Sequence, residues 1–193
     1  MISPKNRCQW VNLNNPRYID YHDTEWGVAI HDDQKHFELL CLEGAQAGLN
    51  WETILNKRSN YRTAFYNFNP TQCARLSDSY LANQLKNTGI VRNRLKIAAI
   101  RKNATVFLTL QQEYRSFDNY IWRFVNNKQI VNKLKGTDAC IVTSPESDAI
   151  AKDLKKRGMS FIGSTIIYAY MQAAGLVNDH LITCFRYKPC LKY

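Results

Sequence analysis

Paired helix start and stop signals recur along this chain and restrict the folds that it can adopt. In the most complete case, Ser144 is a preferred N-cap residue, Pro145 follows at the first helical position, and acidic residues occupy the first turn. Basic residues and then Gly158 end the same segment, as they commonly end helices. These signals predict a helix from Ser144 to Gly158.

Similar signals predict five further helices. The first is capped by Asp32 or Asp33 and has helically spaced apolar or small residues at Phe37, Leu40, Cys41, Gly44 and Gly48. The second is capped by Asn50 and continues through Trp51, Ile54 and Leu55. The other three extend from near Ser79 to Thr88, ending at Gly89, from about Arg92 to Leu110, and from Ser164 to Ala174, ending at Gly175. No segment shows the alternation of a strand. We therefore predict an all-α fold, and 193 residues suit a single unit spanning 1–193.

The chain is strongly basic. Lysine and arginine outnumber aspartate and glutamate by 26 to 16, which gives a formal net charge of +10. Such a surface suits a polyanion, because each neutralised phosphate releases a condensed counterion. Many proteins that bind no nucleic acid are also basic, so the charge by itself leaves both alternatives open.

The hydropathy pattern argues against a membrane protein. No apolar run approaches the length of a bilayer span, and no apolar stretch resembling a signal peptide follows the first residues. We expect a cytoplasmic protein that does not bind a membrane.

Six cysteines could form disulfides, but the size of the chain and the missing signal peptide favour thiols or metal ligands. They are Cys8, Cys41, Cys73, Cys140, Cys184 and Cys190. His180 and Cys184 lie four residues apart, so one helical turn could present both to one ion. Cys8 and His22 could complete a tetrahedral site. The alternative is a set of buried thiols and hydrogen-bonded imidazoles.

Glu43 is the one charged residue between Leu39 and Leu49. A carboxylate on such an apolar helix face loses its hydration at a cost of several kcal/mol unless it is paired. It could therefore serve a functional site, or it could hold an arginine or a backbone amine of another helix. The spacing leaves these two interpretations equally open.

Aromatic residues crowd the N-terminal quarter on both sides of Glu43. They are Trp10, Tyr18, Tyr21, Trp26 and Trp51. Flat side chains around one acceptor could form a slot for a planar heterocycle, since every nucleobase offers a π-face. Clusters of tryptophan and tyrosine are more often part of a core.

A glycine turn at Gly89 separates two predicted helices, and Arg92 and Arg94 follow it. Free N–H groups at the start of the second helix could bind a phosphate there, beside the two arginines. This arrangement could be a helix-hairpin-helix element. A plain corner between two helices fits the local sequence equally well.

In this order, these features resemble the 3-methyladenine DNA glycosylase I family. The matching segments are Trp10-Val11, Pro16, Tyr18 to Val28, Leu42 to Trp51, Ile54 to Arg58, Tyr61-Arg62, Thr88 to Arg92, Lys155 to Gly158, Phe161 to Gly163, and Met171 to His180. The resemblance extends from about Arg7 to Cys184, and its first and last blocks are the most specific. The loop from Asn12 to Asn15 is one residue longer than in the family pattern, and Asn50 replaces a serine.

This resemblance implies an all-helical helix-hairpin-helix glycosylase of base excision repair that flips 3-methyladenine out of double-stranded DNA and excises it, with 3-methylguanine at most a weak substrate. It implies a zinc ion joining the two ends of the chain, with four ligands: Cys8, His22, His180 and Cys184. Four protein ligands leave no open position, so this zinc would be structural. Glu43 would attract the cationic base, and the walls of its pocket would be formed or backed by Tyr21, Trp51, Trp10, Tyr18 and Trp26.

Further expectations concern the reaction and the assembly. No lysine suited to β-elimination is identifiable, so we expect a monofunctional enzyme, and we expect a monomer. Two other functions remain open: a non-catalytic zinc protein that senses damaged DNA, and a metallohydrolase with Glu43 as its general base. A metallohydrolase needs an open metal site, which four ligands oppose. A zinc deaminase would need His-x-Glu and Cys-x-x-Cys motifs, which the sequence lacks.

Overall fold

Helices dominate the architecture of the chain. The computed structural model describes residues 5–136 and 141–192. The α-helices in these ranges are α1 (Pro16–Asp20), α2 (Asp33–Gln46), α3 (Trp51–Ala64), α4 (Pro70–Ala74), α5 (Asp78–Gln84), α6 (Arg94–Tyr114), α7 (Phe117–Trp122), α8 (Pro145–Lys156) and α9 (Ser164–Ala173). A π-helical turn at Tyr21–Glu25 follows α1, and 3-10 turns lie at Tyr66–Phe68, Arg123–Val125 and Pro189–Lys192. None of the described helices is both long enough and apolar enough to cross a bilayer.

The capping residues begin these helices as predicted. The Asp32 side chain accepts a hydrogen bond from the Lys35 amide at the start of α2, and Asn50 caps α3 in the same way. Ser144 and Ser147 form a reciprocal capping box on α8. Gly158, beyond the end of α8, has a φ of +103°. The predictions of α3, α8 and α9 are confirmed. Helix α2 is confirmed as far as Gln46, whereas Gly48, predicted to be part of its pattern, lies beyond its end with a φ of +75°.

The helices on either side of Gly89 begin and end differently from the prediction. Helix α5 is capped by Ser77 and ends at Gln84, whereas the sequence predicted a helix from Ser79 to Thr88. Helix α6 is capped by Asn93, whose side chain accepts hydrogen bonds from the Leu95 and Lys96 amides. An arginine at the preceding position has no acceptor to offer these amides, so α6 begins two residues later than predicted.

A short parallel ladder interrupts the otherwise helical fold and was not predicted. Strands β1 (Ile130–Val131) and β2 (Val177–Asn178) pair with Ile130 opposite Val177. Two residues are too few to produce a recognisable alternation, so this ladder depends on contacts between distant segments. The molecule is mostly helical, as predicted.

Helix α2 runs through the centre of the molecule, where it packs against α3, α6, α7 and α9. Every residue of α2 from 36 to 45 is buried. Any polar side chain in this stretch must therefore be hydrogen-bonded, ion-paired or turned toward a cavity.

The segment after the π-helical turn lies against the C-terminal end of α9. The Gly27 amide donates to the Gln172 carbonyl at 3.1 Å, and the Ile30 amide donates to the Ala174 carbonyl at 3.1 Å. Gly175 has a φ of +71°, and a Cβ atom there would collide with the backbone of Val28 and Ala29. The absence of a Cβ atom at Gly175 thus allows the segment after the N-terminal aromatic residues to pack against the end of α9.

Candidate functional site

A cavity of about 490 Å³ opens between α1, the π-helical turn, α2, α3 and α9. This volume is in the range of small-molecule sites. The residues that line it are Cys8, Gln9, Trp10, Tyr18, Tyr21, Trp26, Glu43, Gln46, Trp51, Gly136, Ile141, Ala169, Gln172, Asp179 and Leu181. The fold therefore brings Glu43 and all five aromatic residues singled out from the sequence to one cavity.

The aromatic residues form two neighbouring groups in this cavity. Tyr21 and Trp51, both buried, have ring centroids 5.2 Å apart. Trp10 lies 4.8 Å from Trp26 and 5.4 Å from Tyr18, again between centroids. Within the described part of the chain, the buried indole nitrogen of Trp51 has no hydrogen-bond partner. The cavity wall thus offers flat apolar faces and one unused donor.

Glu43 is a buried carboxyl group without a protein partner. Its residue is 4% exposed, and no hydrogen bond or ion pair joins its side chain to another described residue. Loss of hydration raises its pKa to about 8. The carboxyl group therefore lies at the cavity with its hydrogen-bonding capacity unused.

The sequence left open whether Glu43 pairs with an arginine of another helix. In the structure it is Glu38, five residues earlier on α2, that forms such a pair. One of its oxygens accepts hydrogen bonds from Arg58 and Arg62, each at 2.7 Å. These two guanidinium groups lower the pKa of Glu38 in spite of its burial. Arg58 also binds Glu25, at the end of the π-helical turn that contains Tyr21. This ion network joins the π-helical turn that contains Tyr21 to α2 and α3.

A second cluster consists of the four predicted metal ligands, all of them buried. The ligand atoms of Cys8, His22, His180 and Cys184 lie within 4.8 Å of one another. Three sulfur-to-nitrogen distances in the cluster are 3.5, 3.5 and 3.6 Å. The Zn–S and Zn–N bond lengths give an S···N edge of about 3.6 Å in a tetrahedral zinc site. Two thiols and two imidazoles at this spacing fit such an ion.

The other ring nitrogen of each histidine has a hydrogen-bond partner. His22 Nδ1 lies 2.8 Å from Asp23, and Asp23 is also bound by Arg7. His180 Nε2 lies 2.9 Å from the Trp26 carbonyl oxygen. Partners of this kind orient the imidazoles of metal sites. The five described cysteines are free thiols, and Cys140 lies outside the described residues.

The predicted phosphate-binding turn lies outside the cavity. Arg92 and Arg94 are exposed, and no ion pair joins either of them to a described residue. The Gly89 amide donates to the Asn87 side chain at 2.9 Å. The Leu95 and Lys96 amides, which the sequence suggested were free for a phosphate, are occupied by the Asn93 cap. The turn thus offers a phosphate exposed cationic side chains, those of Arg92 and Arg94 among them.

Eight residues that line the cavity were not singled out from the sequence, and two of them, Gln172 and Asp179, lie in the last matching segment. Gln172 is on α9, and Asp179 directly follows β2. Asp179 is 4% exposed and accepts hydrogen bonds from Asn132, Tyr168 and Gln172. A polar residue within the apolar α9 pattern was the available signal for Gln172.

An unpaired carboxyl group among aromatic rings in a mostly helical protein is suited to a flat, cationic ligand. The methyladenine glycosylase family profile matches residues 10–187. This chain belongs to the methyladenine glycosylase family.

Relatives with known names and structures match nearly the whole length of this chain. DNA-3-methyladenine glycosylase 1 of Escherichia coli (strain K12) is 45% identical over 181 residues, covering 94% of this chain and 96% of that protein. A crystal structure of 3-methyladenine DNA glycosylase I matches with a TM-score of 0.90 at 48% identity, covering 93% of this chain and 98% of that one. A single-residue variant of 3-methyladenine DNA glycosylase I, crystallised in complex with 3-methyladenine, has a TM-score of 0.88 at 34% identity, covering 90% of this chain and 93% of that one.

Proposed function

We propose that this chain is a monofunctional DNA glycosylase that excises 3-methyladenine from alkylated double-stranded DNA. The observation that carries the proposal is Glu43, a desolvated carboxyl group without a protein partner in an aromatic cavity. The names of the relatives and the bound 3-methyladenine in a family structure support the same reaction.

The substrate dictates much of the chemistry. A base inside a duplex is inaccessible, so its nucleotide must rotate into the cavity. Methylation at N3 gives adenine a positive charge, and the electron pair of the breaking glycosidic bond neutralises that charge on the departing base. The sugar carbon develops oxocarbenium character; a water oxygen then bonds to it and loses a proton. The leaving base needs no proton from an acid.

Glu43 supplies selectivity for a cationic base. Burial keeps its carboxyl group protonated up to a pKa of about 8. A bound cation lowers that pKa by direct attraction. The free-energy cost of ionising the buried Glu43 is therefore offset when the methylated base enters. Neutral adenine provides no such compensation. The ionised carboxylate also accepts a charge-assisted hydrogen bond from the exocyclic amine of the base.

The aromatic residues provide the walls of the base pocket. Tyr21 and Trp51 flank the base, and Trp10, Tyr18 and Trp26 form or back the pocket. Their π-faces attract a cationic ring. The reaction in this proposal is hydrolysis by water without β-elimination.

The cluster of Cys8, His22, His180 and Cys184 holds a zinc ion in this proposal. Its chemical contribution is a cross-link, because four protein ligands leave no position for substrate. The cross-link joins residues near both ends of the chain and stabilises one unit spanning 1–193. His180 packs against Trp26 with ring centroids 4.6 Å apart, so the cluster also supports the cavity wall.

DNA binding is assigned to a helix-hairpin-helix element formed by α5, the turn at Gly89 and α6. Arg92 and Arg94 bind backbone phosphates beside the flipped nucleotide. The net charge of +10 supports this assignment. We further propose that the protein acts as a monomer.

Release of bases from methylated duplex DNA tests the proposal. The purified protein is incubated with this DNA, and the released bases are separated by chromatography. We expect free 3-methyladenine and an abasic strand that remains uncleaved. Tight binding of methylated DNA without base release would instead indicate a non-catalytic sensor.

A further inference from the structure

A buried hydrogen-bond network fixes one amide side chain at the wall of the cavity. Gln172 lines the cavity, and its amide nitrogen donates to Asp179 Oδ2 at 2.7 Å. Tyr168 donates to the same oxygen at 2.8 Å, and Asn132 donates to Oδ1 at 2.7 Å. Asp179 therefore has three donors and is itself 4% exposed.

The unpredicted ladder explains how this network forms. Asn132 directly follows β1 and Asp179 directly follows β2, so pairing of the two strands sets these side chains beside each other. Tyr168 and Gln172 lie four residues apart on α9, on the same face of the helix. Three side chains, those of Asp179, Tyr168 and Asn132, thus fix the orientation of Gln172.

The orientation of the Gln172 amide follows from the chemistry of Asp179. A carboxylate accepts hydrogen bonds and cannot donate them, so the amide nitrogen of Gln172 must face it. The amide oxygen makes no hydrogen bond to a described residue and remains available at the cavity. This part of the wall therefore presents a fixed acceptor, in addition to the Glu43 carboxylate.

Two acceptors suit adenine better than guanine. At the C6 position adenine carries an amine, which donates hydrogen bonds, whereas guanine carries a carbonyl oxygen, which only accepts them. We propose that Gln172 is a specificity-determining residue that accepts a hydrogen bond from the exocyclic amine of 3-methyladenine, and that Asp179 is the residue that positions it. This inference rests on the proposed glycosylase function and names the feature that excludes 3-methylguanine.

The test uses duplex DNA that contains both 3-methyladenine and 3-methylguanine. Release of each base under single-turnover conditions is compared between the wild type and Gln172→Met, which keeps the length of the side chain and removes its acceptor. We expect 3-methyladenine release to fall about tenfold and the preference over 3-methylguanine to fall by a similar factor. An unchanged preference in the folded variant would overturn the assignment.

Gln111→Met is the matched control. Gln111 also donates its amide nitrogen to a carboxylate, Asp33, at 2.6 Å, but it does not line the cavity. This substitution removes the same kind of bond and should leave the preference between the two bases at the wild-type value. A loss of preference in Gln111→Met as well would show that the effect is general to the fold.

A second variant tests the positioning role of Asp179. In Asp179→Asn the new amide can accept or donate, so Gln172 is free to turn either way. We expect the base preference to decline while the zinc content stays at the wild-type value. Unchanged preference would remove Asp179 from the inference.

Binding of the free bases provides an independent measurement, since three tryptophans line the cavity. Quenching of their fluorescence by 3-methyladenine and by 3-methylguanine should show the same reduced preference in Gln172→Met. A wild-type protein that releases neither base would refute the proposed function itself. Normal release by the wild type together with unchanged selectivity in Gln172→Met would refute this inference alone.

Discussion

Glu38 and Glu43 lie on the same buried helix, yet Glu38 is held by two arginines whereas Glu43 faces the cavity without a described partner. The same residue type therefore has two different roles five positions apart. The pairing lowers the pKa of Glu38, and desolvation raises that of Glu43. Substitutions at these two positions should have opposite consequences.

Glu43→Gln should impair excision while the fold is retained. The substitution keeps the shape of the side chain but removes a charge-assisted hydrogen bond worth roughly 1.5–3 kcal/mol, or about ten- to a hundredfold in rate. Single-turnover release of 3-methyladenine measures the effect. Affinity for undamaged duplex should hardly change, because Glu43 lines the base cavity. Excision at the wild-type rate would mean that the cavity is not the base pocket.

Glu38→Gln is the matched substitution for stability. It leaves the buried Arg58 and the exposed Arg62 with a weaker partner. Loss of one member of a buried ion pair costs about 3 kcal/mol, and because Arg58 keeps Glu25 we expect a smaller loss of stability. We expect denaturant unfolding to show this loss for Glu38→Gln and no loss for Glu43→Gln. Equal destabilisation in the two variants would contradict the assignment of separate roles.

The free energy of unfolding should depend on pH through Glu43. Its pKa of about 8 in the folded protein lies above the ordinary value of 4.5, so the folded state keeps a proton that the unfolded state has lost. The stabilising contribution is therefore fully present below about pH 4.5 and is lost as the pH rises to about 8. Tyr18 and Tyr21 stay neutral in this range because burial raises their pKa values.

Glu43→Gln isolates this titration. The difference in unfolding free energy between wild type and variant, measured by denaturant titration from pH 5 to pH 9, should shift in favour of the variant as the pH rises. A difference that is independent of pH would show that Glu43 titrates normally and is solvated in the folded protein.

Zinc content should depend on the four clustered ligands. We expect about one zinc per chain in protein purified without chelator, and well below one in Cys8→Ser. The variant should melt more than about 5 °C below the wild type, because a cross-link between distant segments is lost. Cys73→Ser is the control: Cys73 is buried and donates to the Phe65 carbonyl, outside the cluster. Wild-type protein without zinc would contradict the prediction.

The arginines after Gly89 should bind DNA through phosphates. Arg92→Ala and Arg94→Ala should weaken binding to damaged and undamaged duplex alike, and each should reduce the salt-dependence slope by about one. The control is Arg115→Asn, at the other end of α6 and about 30 Å away. Asparagine tolerates the left-handed backbone of Arg115, which has a φ of +71°. Unchanged affinity and slope in both alanine variants would mean that the turn is structural.

The sequence by itself determined the helical character of the protein and the first turns of α2, α3 and α8, because a cap acts within a single turn; α1, α4 and α7 were not predicted. Asp32, Asn50 and Ser144 bind amides no more than three residues away, so their effect can be predicted from the local sequence without knowledge of the fold. The resemblance also identified Glu43 and the five aromatic residues that line the cavity, and the two cysteines and two histidines that cluster. Both sets of residues could be identified because the chain has the family's residue types at the matching positions.

The tertiary structure alone decided which buried carboxyl groups are paired and which are not. Whether Glu38 or Glu43 would be paired depended on where α3 places Arg58 and Arg62, and the α2 sequence contains no information on that. The network around Asp179 depends on a two-residue ladder between segments 47 positions apart, too short to leave a periodic pattern. Local capping energies are encoded within a few residues, whereas desolvation and ion pairing are set by packing between distant segments.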